Sequence, residues 1–332
     1  MMGRNHIITG ALCLGWAASG ATVAGVQLFD HPEAVVLASG LFLWGTTAPD
    51  LDAEAAVASS TWAPKRYAAG ARQERLLPSA RSMAATITPG AHWLSAGMRV
   101  IARRHYHLTR GPGDPEGNDD PHRKLWHTAQ GAAVLAAVTV LLLSPVPLLV
   151  AQQWWPQVMA ATTADGRWWL PWLTAAPWAG LMFGVVFRGY FGERIGKGHK
   201  AWSSRAAGFA VGVLAALVCG WTGALSGAWF IWALAIWLGC GVHVAGDKCS
   251  RHGASWWAPM RQDEQGRRWR ATHLVGPALR FRTGYGGESL FVLGLIVFSL
   301  LGWWFLLSAG GVLTGRASLF WVLEALGRWA SG

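Results

Sequence analysis

Uncharged apolar stretches alternate with polar segments along most of the chain. A bilayer core about 30 Å thick needs about 20 helical residues. The stretches 34–48 and 172–187 are shorter than this and would be tilted or partly re-entrant. The pattern predicts an all-α, polytopic integral membrane protein with about seven transmembrane helices. The seven stretches without Asp, Glu, Lys or Arg are 7–29, 34–48, 129–151, 172–187, 206–225, 229–244 and 290–313.

Composition favours the same class of protein. The chain is 52% hydrophobic and 14% charged, and it contains 23 Trp, a residue that concentrates at membrane–water interfaces. The four cysteines lack the paired spacing of a disulfide framework or a thiolate zinc site. They are predicted to be ordinary core residues.

The net charge of +11 would also suit a nucleic-acid-binding protein, so its distribution matters. If seven spans alternate in direction, 25 of the 28 Lys and Arg residues fall on the side of the N-terminus. Cytoplasmic loops of membrane proteins carry such an excess. We therefore expect a cytoplasmic N-terminus, an external C-terminus and membrane lipid as a partner. No specific nucleic-acid partner is expected.

The sequence predicts one membrane-embedded domain, 1–315, and an interfacial C-terminal tail, 316–332. Within the long cytoplasmic segment, residues 92–107 alternate apolar and basic positions at helical spacing, which is typical of an amphipathic helix on a membrane surface. Residues 79–89 are predicted to form a loop.

A second loop is predicted over residues 108–121, which look like an insertion. Its glycines and prolines disfavour both helix and strand, and its acidic residues, Asp114 among them, would keep it solvated. We expect a mobile surface loop near the mouth of any cytoplasmic site.

Polar side chains cluster where the predicted spans begin or end. A single cluster of this kind is usually a helix cap or a solvated charge, but ionisable groups at membrane depth are costly and often functional. The span count puts all five clusters on the cytoplasmic side, which predicts one composite site. The clusters are His6; Asp50 with Asp52; His122 with Arg123 and His127; His243 with Asp247; and Glu288.

Histidine and aspartate without cysteine form a ligand set suited to zinc, manganese or iron. His243 and Asp247 are four residues apart, so on a helix they share a face. Asp50 and Asp52 follow Pro49 closely and could bridge a pair of ions.

These motifs resemble the YdjM-like family of bacterial inner-membrane metal-dependent hydrolases of LexA-regulated type. The family pattern has an N-terminal His, a Pro-Asp-x-Asp, an His-Arg followed by a second His, and an His-x-x-x-Asp. A closing segment with Arg, Gly and Glu is similar to residues 280–288. The matching positions here are His6, Pro49 to Asp52, His122-Arg123 with His127, and His243 with Asp247.

The chain departs from the family pattern in four places. Trp126 and Thr128 replace a Thr and a Ser beside the second histidine, and the loop at 108–121 is inserted. Two additional spans, 172–187 and 206–225, separate the histidine motifs; their even number keeps the site on one face.

The resemblance implies a cytoplasm-facing hydrolase with one to three divalent ions, zinc foremost, and a distant similarity to zinc-dependent phospholipases C. Its substrate would be an anionic small molecule or lipid, cleaved at a phosphoester or phosphodiester by a metal-activated water. The implied ligands are His6, Asp50, Asp52, His127, His243 and Asp247. The implied catalytic group is His122, as ligand or proton donor, with Arg123, Arg282 and Glu288.

Two other functions stay open. An ion- or proton-coupled transporter could use the same residues, although it would be expected to carry ionisable groups near mid-span. A non-catalytic membrane scaffold could use the basic loops to bind anionic lipid, and it would need no stoichiometric metal.

Overall fold

A computed structural model describes residues 3–23, 32–52, 78–115, 124–144, 170–191, 199–222, 229–281 and 286–309. Within these ranges the fold has eight α-helices and no strand, so the predicted all-α class is confirmed. The helices are α1 (Gly3–Val23), α2 (Pro32–Thr47), α3 (Pro78–Thr109), α4 (Ala129–Leu143), α5 (Leu170–Phe191), α6 (His199–Thr222), α7 (Trp229–Lys248) and α8 (Gly286–Ala309). Three short 3-10 helices are η1 (Ala48–Asp52), η2 (Leu125–His127) and η3 (Pro277–Leu279).

Each of the seven apolar stretches overlaps a helix, and α3 carries the predicted amphipathic segment. In the described part of the chain, one helix is long and apolar enough to cross a membrane. It is formed by α2 and η1 over Glu33–Leu51, and most of it is buried against other helices. Shorter apolar helices cover Ala129–Leu143, Arg205–Gly220 and Leu290–Phe305.

The centre of the bundle is the crossing of α2 and α7. A Cβ atom at Gly45 would lie 3.1 Å from the Cα of Gly239, so the two backbones are in contact at this point. Trp44 from α2 and Ile236 from α7 are buried beside it. Glycine allows such an approach because it has no side chain to separate the helices. The crossing brings together the C-terminal ends of both helices, where the predicted ligands lie.

Helix α3 corrects the prediction for residues 79–89, which belong to the helix and not to a loop. Pro89 removes one backbone hydrogen bond, but the surrounding alanines and methionine favour helix and continue it. Further along, Ser95, Met98, Ala102 and Tyr106 form a buried stripe at helical spacing. The helix expected over 92–107 is therefore present, packed on the protein through this stripe.

The start of the inserted loop is also corrected. Residues 108 and 109 belong to α3, and Asp114 is 6% exposed and not solvated. Its carboxylate accepts hydrogen bonds from the backbone N–H groups of Gly111 at 2.7 Å, Arg268 at 3.0 Å and Trp269 at 3.1 Å. These bonds fix the end of α3 to the segment that follows α7. Residues 116–121 and the tail 316–332 lie outside the described residues, and their predicted mobility and interfacial position stay predictions.

Candidate metal centre

Five predicted ligands from four segments of the chain meet in one cluster. His6 stands in the first turn of α1, Asp50 in η1, His127 in η2, and His243 with Asp247 in the last two turns of α7. Four of them are almost fully buried, whereas the side chain of Asp50 is 17% exposed. The cluster therefore opens to its surroundings on the side of Asp50.

Asp50 is positioned by the break at the end of α2. Pro49 cannot donate a backbone hydrogen bond, and the chain tightens into η1 directly after Thr47. Ser95 of α3 donates its hydroxyl to the carbonyl of Leu51 at 2.6 Å. The turn that carries Asp50 is therefore held by α3 as well as by its connection to α2.

His127 is held by its neighbours in sequence. The hydroxyl of Thr128 caps α4 by accepting the N–H of Gly131 at 3.0 Å, and it donates to the carbonyl of Leu125 at 2.7 Å. The indole of Trp126 donates to the carbonyl of Met98 in α3 at 2.9 Å. Trp126 and Thr128, two of the departures from the YdjM-like pattern, thus fix the backbone on either side of His127.

His243 has an orientation that suits metal binding. Its Nδ1 lies 2.8 Å from the carbonyl oxygen of Thr46. A carbonyl can only accept, so Nδ1 carries a proton, and in the neutral imidazole Nε2 presents its lone pair to the cluster. Metal-binding histidines commonly use their second nitrogen in this way.

The Nε2 atoms of all three histidines lie close to the carboxylates of Asp50 and Asp247. The Nε2 atom of His6 lies 3.8 Å from Asp50 and 3.5 Å from Asp247. The corresponding distances are 3.7 and 3.4 Å for His127 and 3.5 and 3.8 Å for His243. The Nε2 atoms of His127 and His243 are 3.0 Å apart. Three imidazoles therefore surround a pair of carboxylates.

These separations fit a shared metal ion. Atoms bound about 2.0–2.2 Å from one zinc ion lie about 3–3.6 Å from one another, and the observed donor separations are 3.0–3.8 Å. In two groups of three residues the candidate ligand atoms all lie within 4.8 Å of one another: His6, His243 and Asp247, and Asp50, His127 and His243. The buried cluster could hold a metal ion, whose identity the geometry leaves open. If the imidazoles were protonated instead, their contacts with the two carboxylates would be ion pairs.

His6 gives a further reason for an ion. Neither of its ring nitrogens has a hydrogen-bond partner among the described residues, although both are buried. Its ring stacks on that of His243, with centroids 3.7 Å apart. A buried polar nitrogen without a partner is costly, and metal coordination at Nε2 would remove part of that cost.

The other predicted site residues cannot be placed beside the cluster. His122, Arg123 and Arg282 lie outside the described residues. Asp52 belongs to η1 and Glu288 to the first turn of α8, but only their backbone is described. Their roles stay predictions.

The sequence pattern missed several residues that support the centre. The carbonyl of Thr46 is a backbone group with no signature in the sequence. Thr128 could have been found as a helix cap, since a threonine precedes the apolar run of α4. The roles of Trp126 and Ser95 depend on α3 folding back onto the site.

Comparisons with protein-family models, with curated proteins and with solved structures give no match for this chain. The resemblance to the YdjM-like family accordingly rests on the motifs alone.

Proposed function

We propose that the protein is a membrane-embedded, metal-dependent hydrolase that cleaves a phosphoester or phosphodiester, including a lipid one, at the cytoplasmic face. The observation that carries the proposal is the convergence of three imidazole Nε2 atoms on two carboxylates in a buried cluster. The motif resemblance points to the same chemistry.

The chain's own residues would bind the ion and balance its charge. His6, His127 and His243 are neutral ligands when their Nε2 atoms are unprotonated, and Asp50 with Asp247 offsets the two positive charges of a divalent cation. Zinc is the first choice because nitrogen and carboxylate oxygen are ordinary ligands for it. When bound, such an ion supplies a Lewis acid that acidifies water and polarises the scissile group.

Access to the centre follows from burial. Asp50 is the ligand with an exposed fraction, so substrate and water would approach from its side. His122, Arg123, Arg282 and Glu288 are the proposed substrate-binding and proton-transfer residues. Arginine suits an anionic oxygen there because its planar fork donates two parallel hydrogen bonds.

Exposed apolar faces on several helices support the proposed membrane-embedded location. On α8, Leu290 is 71% exposed and Val297 65% exposed. Apolar side chains at helical spacing are also exposed on α4, α6 and α7, including Val138, Leu214 and Leu234. Soluble monomers rarely expose apolar surface of this extent, whereas lipid tails would cover it.

The transporter alternative expects a binding site near mid-span. The described ligands instead lie at the first turn of α1, the last turns of α7 and the turns beside α2 and α4. Sites at helix ends suit a surface-facing enzyme better.

Metal analysis of the purified protein tests the proposal. We expect stoichiometric divalent metal, and release of product from at least one of a phosphomonoester, a phosphodiester and a phospholipid, with loss of turnover after chelation. Protein that carries no metal and takes up none would exclude the hydrolase. Metal without turnover on any of the three substrates would favour the transporter.

A further inference from the structure

Two arginines, Arg188 and Arg205, lie at the same end of the α5–α6 helix pair. Neither belongs to a ligand group of the metal centre. Arg188 stands in the last turn of α5, and Arg205 stands in the second turn of α6. Arg205 is only 2% exposed. Because a guanidinium stays charged in proteins, this side chain brings a positive charge into the interior.

The two arginines are neighbours across the helix pair. A Cβ atom at Gly208 would lie 2.8 Å from the Cβ of Phe187, so α5 and α6 touch at these positions. Arg188 follows Phe187 directly, and Arg205 precedes Gly208 by almost one turn. Burial and, after it, the neighbouring charge of Arg188 lower the pKa of the Arg205 guanidinium. Two like charges therefore share one end of the helix pair.

This end and the metal centre lie at similar distances, measured along their helices, from one contact between α6 and α2. The hydroxyl of Thr222, the last residue of α6, donates to the carboxylate of Glu33 at 2.8 Å, near the start of α2. The two helices also pack on each other. Arg205 precedes Thr222 by as many residues as Asp50 follows Glu33, so both lie about 25 Å from that contact along their helices.

Burying a guanidinium nitrogen is unfavourable unless a hydrogen-bond acceptor or an anion offsets its charge. The Nη1 atom of Arg188 is buried and has no hydrogen-bond acceptor among the described residues. A guanidinium donates through five N–H groups in a planar fork, which matches two oxygens of a phosphate better than a single carbonyl.

We propose that Arg188 and Arg205 form a binding site for a phosphate group. The ligand is either the headgroup phosphate of an anionic lipid or a free phosphate. The α5–α6 pair corresponds to the two spans that the YdjM-like pattern lacks, so the site would be an addition to the metal centre. It does not depend on the hydrolase proposal, because neither arginine is a ligand of the centre.

Thermal unfolding of the full-length protein in an uncharged detergent tests the proposal, with a chelator present so that metal makes no contribution. One arm compares sodium phosphate with sodium chloride at equal ionic strength. The other compares micelles containing phosphatidylglycerol with micelles containing an uncharged glycolipid. We expect the unfolding midpoint to rise by at least about 3 °C in one arm. A rise with free phosphate identifies the soluble anion, and a rise with lipid alone identifies the headgroup.

Arg188→Gln and Arg205→Gln should lose this rise. Arg251→Gln, which removes an exposed arginine, is the matched control and should keep it. Absence of a rise in both arms for the wild-type protein would overturn the proposal, as would an undiminished rise in both glutamine variants. If those variants fail to fold, Arg188→Lys decides: it keeps the charge but lacks the fork, so most of the rise should disappear, and an unchanged rise would count against the site.

Discussion

His243 is the side chain on which both ligand groups of the centre meet. Its Nδ1 is engaged by the carbonyl of Thr46, and its Nε2 lies 3.0 Å from the Nε2 of His127. Two neutral imidazole nitrogens at this distance can share a proton or a metal ion. The carboxylates of Asp50 and Asp247 beside them supply the negative charge that favours the cation.

At the same scale, the two carboxylates give a sharp test. Replacing Asp50 or Asp247 by Asn keeps the shape of the side chain but removes one of the charges that offset the ion. Each variant should bind zinc at least about 100-fold more weakly, measured by competition with a chromophoric chelator.

Asp263→Asn is the matched control, because this carboxylate pairs with Arg267 at 2.9 Å in the segment after α7. It should bind zinc like the wild-type protein. Full affinity in Asp247→Asn would contradict the assigned centre.

At the scale of the elements, the geometry of the centre depends on how closely α2 approaches α7. The contact between Gly45 and Gly239 sets that distance, and the bond between the Thr46 carbonyl and His243 lies about one turn away. A wider crossing would separate the carbonyl from the imidazole before it removed any ligand.

Gly239→Ala tests this coupling. The new methyl group would meet the carbonyl of Phe42, which is backbone and cannot move aside easily. We expect a loss of about 1–3 kcal/mol in the free energy of unfolding and a fall of about 10- to 100-fold in zinc affinity.

Gly241→Ala on the same helix is the control. A Cβ there would have only the indole of Trp256 within reach, at an ordinary contact distance of 4.0 Å. Its zinc affinity should be unchanged. Equal zinc affinity in the two alanine variants would show that the crossing does not position His243.

At the scale of the whole molecule, the exposed apolar helix faces and the basic loops together set the expected orientation in the membrane. The 25 to 3 division of Lys and Arg predicts a cytoplasmic N-terminus and an external C-terminus. A topology reporter fused after Gly332 should be found outside the cytoplasm. The same reporter inserted at 116–117 should be found in the cytoplasm. Reporters on the same side would show that an even number of spans separates the two positions, contrary to the five predicted.

Metal removal should also weaken the whole fold. Without a cation, the buried carboxylates and imidazoles lose the charge that holds α1, η1, η2 and α7 together. Chelation should lower the midpoint of thermal unfolding by about 5 °C or more, and added zinc should restore it. Asp247→Asn, expected to lack the ion, should not respond to the chelator. A wild-type midpoint that is insensitive to chelation would argue against a bound structural or catalytic metal.

The all-α class could be predicted from the sequence because helix formation here depends on local properties. Long apolar runs without charge identify α1, α2 and α4 to α8, and the spacing of basic and apolar residues identifies α3. The residue types of the centre were predicted for a similar reason, since His and Asp beside apolar runs are conspicuous. Local reasoning was wrong for residues 79–89, which were predicted to form a loop but belong to a continuous helix.

The tertiary structure decided the contacts between residues that are distant in sequence. The orientation of His243 comes from a carbonyl 197 positions away, and Asp114 is buried by N–H groups 154 and 155 positions away. The neighbouring positions of Arg188 and Arg205 likewise follow from the crossing of α5 and α6. Hydrophobic periodicity specifies which face of a helix is buried, but the partner of that face, and the polar groups that meet there, depend on the packing of the whole bundle.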